Sequence, residues 1–203
     1  MDEEYEWEEF ADMAIAESKA FLHTEKRLVK NHHKLIDRLQ AWDHIFAHLD
    51  ERLPAESHLH ELFGEIRVKL LEIDQLVTEG RLKELRLMKE EKRDIKMLRR
   101  DVKHRNWKAV KQDVQAETEE EREVKDLQME ELQELHERFR ELTGLLEGSE
   151  LKTAIDEDLG KPKEKHEFED KVHYYLVQMH RFFAVYETVF RHLWEKEKLK
   201  NPA

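Results

Sequence analysis

The sequence predicts an all-α fold, an elongated antiparallel bundle of about four long helices. Three observations carry that expectation. Charged residues make up 41% of the chain while Gly and Pro together number only eight, so long solvated helices meet few breakers. Through the first fifty residues an apolar or small side chain recurs every seven positions, at Trp7, Ala14, Phe21, Leu28, Leu35, Trp42 and Leu49, and only a helix gathers that spacing on one stripe. Hydrophobic residues at 39%, with 17 aromatics spread along the chain, supply enough apolar surface to offset chain entropy.

The first helix is expected over about 5–52. A second row at Ala11, Leu39, Phe46 and Leu53 completes its seam, and Pro54 disfavours helix at Leu53. A second helix over 56–104 follows Leu59, Phe63, Ile66, Leu70, Ile73 and Val77, then Leu82, Leu85, Ile95, Leu98 and Val102. Its weak point is Gly80, since an interior glycine costs about 1 kcal/mol relative to Ala; the expectation is a continuous helix. A tight reversal at 104–106 lets Asn106 cap a third helix over 107–147. A short helix over 149–159 ends before Gly160 and Pro162, and a last helix over 164–199 has the widest apolar face, from Phe168 to Leu193. Short connections favour antiparallel neighbours in one domain, 1–203. The rival architecture is a coiled-coil hairpin of residues 80–146 projecting from a smaller bundle.

Composition narrows the function. The start, MDEEYEWEEF, is acidic where a secretory signal is basic and then apolar, and no apolar run approaches membrane-spanning length, so a cytoplasmic protein is expected. With no cysteine there is neither a disulfide nor a thiolate nucleophile. No phosphate-cradling glycine loop, nucleophile elbow or His-Glu-x-x-His pair is present. No catalytic residue is assigned and an enzyme is not expected.

Three features stand out. Thirteen Lys or Arg against five acids lie between Arg81 and Lys111, followed by fourteen acids against four cations from Asp113 to Glu150. One reading takes Lys96, Arg99, Arg100, Lys103, Arg105 and Lys108, with Trp107 beside them, as a surface for an acidic partner. The other folds the basic helix against the acidic one with no partner at all. Nucleic acid is not the expected partner, because a net charge of −12 repels phosphate backbones.

The second feature is a polar line, Ser18, Glu25 and His32, inside the apolar face of the first helix. A carboxylate is rarely buried there without a partner. Counting inward along antiparallel first and last helices brings His180 near Glu25 and His173 near His32, with Tyr175 or Tyr186 nearby. These residues are the candidates for a transition-metal site. Seven-residue spacing separates ligands on one helix by about 10 Å, too far for two of them to hold one ion. The competing reading is a hydrogen-bonded polar layer that fixes helix register, with no cofactor. The third feature is histidine richness. His44 and His48 sit one turn apart on the polar side, a spacing that binds added zinc weakly, and thirteen histidines allow a pH response between about 5 and 7.

The expected function is therefore non-enzymatic: a helical scaffold or adaptor that mediates protein–protein interaction or self-association, with Trp7 and Trp194 as candidates for homo-oligomer contacts. The alternatives are a metal-binding bundle and an acidic-partner or nucleic-acid binder that uses residues 81–111.

Overall fold

The computed structural model describes residues 3–148 and 162–198, together with Leu151, Thr153, Asp156 and Glu157. Side chains are described except at 3–7, 117–123, 125, 162, 164, 186, 187 and 189–198. The protein is all-α. Its long helices are α1 (Glu3–Asp50), α2 (Leu59–Lys103), α3 (Trp107–Glu147) and α4 (Pro162–Lys198). Leu151, Thr153, Asp156 and Glu157 are helical, and the rest of the helix predicted at 149–159 lies outside the described residues. α2 runs unbroken through Gly80, as its apolar rows predict.

Helix ends follow local hydrogen bonding. α2 starts at Leu59 rather than 56 because Pro54, Ala55 and Glu56 form a turn, with the Ser57 N–H donating to the Pro54 carbonyl at 2.9 Å. The Leu59 N–H then donates to Ser57 Oγ at 3.2 Å, which satisfies one of the orphan donors of the first turn. The His60 ring closes this corner, with Nδ1 2.7 Å from Asp50 Oδ1 and Nε2 2.9 Å from the Pro54 carbonyl.

Between α2 and α3 the chain reverses through a Schellman turn. The Asn106 N–H donates to the Asp101 carbonyl at 2.9 Å and the Arg105 N–H to the Val102 carbonyl at 3.0 Å. The C′ residue of such a turn is left-handed, and Arg105 in that position has φ 54°. A side chain in that conformation costs about 1 kcal/mol that glycine avoids. Arg105→Gly is therefore expected to raise unfolding stability by about 1 kcal/mol, measured as an increased urea midpoint at unchanged m-value.

The described residues form two compact units, one from 3–30 and 80–131 and the other from 31–79 and the described residues of 132–198. The boundary between the units falls at Gly80 on α2 and after Glu131 on α3. In the first unit α1 covers the hairpin: Ala11, Ile15 and Leu22 share one buried cluster with Met88, Ile95 and Leu98 of α2 and Val110 of α3. In the second unit four helices surround an aromatic core. Phe63 of α2 meets Phe46 of α1 edge-on at 5.6 Å and stacks on Phe168 of α4 at 5.7 Å. Phe139 of α3 stacks on Phe183 of α4 at 4.4 Å.

Ion pairs link neighbouring helices of that unit. Arg67 reaches Asp43 with two nitrogens, at 2.7 and 3.4 Å. Lys69 lies 3.1 Å from Glu72 and 3.0 Å from Glu141, and Arg138 lies 3.1 Å from the same Glu72. Pairs this exposed add little stability.

Candidate functional site

In α1 the row Ala11, Ser18, Glu25, His32, Leu39, Phe46 is buried throughout, so the polar line lies inward as its spacing predicts. Burying an ionised carboxylate without donors is costly. Glu25, fully buried, finds its donor on α3: Gln128 Nε2 lies 2.9 Å from Glu25 Oε1. The same nitrogen lies 2.9 Å from Oε1 of Glu84 on α2, which is also buried. One amide therefore ties three helices of the first unit together, spending both of its N–H donors on two carboxylates. Glu25 Oε2 and Glu84 Oε2 are buried and have no hydrogen-bond partner among the described residues.

Among the described residues, the charges acting on Glu25 are carboxylates. Burial raises the Glu25 carboxyl from its usual 4.5 to about 7, the Gln128 hydrogen bond opposes the shift, and the negative charges of Glu91 and Glu131 reinforce it. The Glu131 carboxylate lies over α2 at Gly80, in the space that a Cβ there would occupy.

The metal candidates separate into different settings. His32 is buried in the second unit, whereas His173 and His180 are exposed. The His180 ring instead lies 3.1 Å from Glu147 of α3. On α4 the inward residues are Phe168, Val172, Leu176 and Met179, which turns His173 and His180 toward solvent. Tyr175 is half-buried, and the Tyr186 side chain lies outside the described residues. Among the described residues no group of three His, Asp or Glu is arranged to hold a metal ion. His44 and His48 are exposed, as the helical wheel predicts.

The second feature is the outer face of α2. Lys96, Arg99, Arg100, Lys103, Arg105 and Lys108 are all exposed, whereas Trp107 is half-buried against the cluster of Ala11, Leu98 and Val110. The structure extends the basic face backward. Lys89, Lys92, Arg93, Lys96, Met97 and Arg100 line one open trough. At 3.6 residues per turn the cations of this trough, with Lys103, fall within an arc of about 100°, and Glu90, Glu91, Asp94 and Asp101 fall outside it. Like charges at i,i+3 and i,i+4 repel by a few tenths of a kcal/mol per pair. This stripe repeats that repulsion along four turns without an acid inside it.

Sequence reasoning missed Glu84 and Gln128. Each continues an apolar seven-residue row: Glu84 follows Leu70 and Val77 and precedes Glu91 and Leu98, and Gln128 precedes Leu135 and Leu142. Continuing those rows into polar positions was the available signal. No helix among the described residues is long and apolar enough to cross a membrane. No family model, curated protein or solved structure matches the chain.

Proposed function

We propose that the chain is a non-catalytic helical scaffold that docks an acidic protein partner on the basic face of α2. The supporting observation is the exposed stripe Lys89, Lys92, Arg93, Lys96, Arg100 and Lys103, six cations on one face of α2, of which Arg100 also lies 3.6 Å from Asp101 at the edge of the stripe. An acidic helix laid along it adds attraction and steers association. The stripe spans about 21 Å at 1.5 Å per residue, the length of four turns of a partner helix.

A protein suits this surface better than a nucleic acid. The net charge of −12 opposes phosphate backbones at long range, and Trp107, the aromatic nearest to the stripe in sequence, is half-buried against the first unit's apolar cluster rather than presented for stacking. The trough contains Met97 but no aromatic ring. Metal chemistry is not part of this reading.

The test uses the intact chain and a fluorescent helical peptide with glutamates at i, i+4, i+7 and i+11. Binding is expected at low salt, weakening as salt rises, and falling about tenfold or more in Lys92→Glu/Arg93→Glu/Lys96→Glu. Equal binding by the triple variant overturns the proposal. So does tighter, stripe-dependent retention of duplex DNA or RNA.

A further inference from the structure

Three-helix cores are usually closed by apolar side chains, and the first unit instead closes one layer with Glu25, Glu84 and Gln128. Both carboxylates bond the same amide nitrogen at 2.9 Å, so their Oε1 atoms lie less than 6 Å apart. Gln128 has only two N–H groups and both are used. The remaining oxygens, Glu25 Oε2 and Glu84 Oε2, are buried with no hydrogen-bond partner among the described residues. Among the described residues, the charged groups that act on Glu25 are Glu91 from α2 and Glu131 from α3, which are again carboxylates. Two buried carboxylates this close, with the charges of Glu91 and Glu131 also acting on Glu25, do not both ionise readily.

We propose that the Glu25–Gln128–Glu84 layer is a proton-binding site, taking one proton between its two carboxyls and thereby making the packing of the first unit sensitive to pH. The bound proton supplies the third donor of the layer, an O–H beside the two N–H groups of Gln128. It also removes one of the two buried charges. This site is separate from the basic face of α2, and neither proposal depends on the other.

The linkage has a definite sign. The Glu25 carboxyl is raised from 4.5 to about 7 in the folded chain, so the fold holds a proton that the unfolded chain has released. The stabilisation is complete below about pH 4.5, declines between 4.5 and 7, and is absent above 7. A shift of this size corresponds to about a 300-fold change in the folding constant, since each pH unit in the window contributes a factor of ten.

Urea unfolding of the intact chain at pH 5 and pH 8 tests this, with Glu25→Gln as a neutral stand-in for the protonated carboxyl. The wild-type folding constant is expected to fall about 100-fold between these values beyond the change seen in Glu25→Gln. A Glu25→Gln chain with the wild-type pH slope overturns the proposal. Carboxyl carbon-13 NMR reads the site without relying on that variant. A Glu25 midpoint near 7 in the wild type, moving down in Glu84→Gln, supports the shared site. A wild-type midpoint near 4.5, or one unmoved by Glu84→Gln, rejects it.

Discussion

Replacing Gln128 with Leu is expected to destabilise the chain by about 3 kcal/mol at pH 8. Gln128 is the hydrogen-bond donor to both Glu25 and Glu84, each at 2.9 Å, and both carboxylates are buried. Removing one partner from a buried polar set costs the desolvation of whatever is left unpaired, about 1–3 kcal/mol per group and more when it is charged. Two carboxylates lose their donor at once. The loss should shrink at pH 5, where a proton replaces one charge. The converse experiment separates satisfaction from packing. Changing Glu25, Glu84 and Gln128 together to Leu removes every polar group of the layer at similar volume, and buried polar clusters replaced this way often gain about 1–4 kcal/mol. Urea midpoints at constant m-value read both changes.

The second large effect lies in the other unit. Phe63→Ala is expected to cost about 4 kcal/mol, the range for deleting a buried ring and leaving its cavity. Phe63 is wholly buried, with Phe46 edge-on at 70° between ring planes and Phe168 nearly parallel at 11°. Its removal strips a partner from α1 and from α4 together, and offset aromatic pairs carry about 0.5–1.5 kcal/mol beyond their area. Phe63→Leu keeps most of the volume and should cost clearly less. Against a typical total stability of about 5–15 kcal/mol, the Ala variant should show a strongly lowered thermal midpoint by circular dichroism.

These two layers also show what the sequence makes visible. The helices were legible because leucines and aromatics contrast with charged neighbours, and Gly80 is too weak a breaker to stop α2. Burial of Ser18, Glu25 and His32 was legible for the same reason, since each interrupts a row that begins at Ala11 and resumes at Leu39. The partner of Glu25 was not. Gln128 stands in a polar stretch of α3 and Glu84 among the cations of α2, where apolar contrast vanishes and periodicity alone cannot say which polar residue faces inward. Matching His173 and His180 to α1 by counting from helix ends also failed to find their setting. A rotation of about 100° separates each from its inward neighbour on α4, and end-counting carries no rotational information.

Chain reversal depended on detail of another kind. Asn106 is the cap of α3 that the sequence predicts, and the turn places the left-handed residue one position earlier, at Arg105, which no composition rule marks. The basic face was legible as a block of charge but not as a stripe. Its width follows from α2 remaining one helix through Lys89–Lys103, so that cations three and four apart stack rather than scatter.

Gly80 carries a last consequence. Its missing methyl is a seat for the carboxylate of Glu131, so positions 80 and 131 share one volume between them. Enlarging the first obliges the second to withdraw, and Glu131 is one of the charges felt by Glu25. An empty space on one helix thus sets where a charge rests on another, and a redesign of either residue must treat the two as a single part.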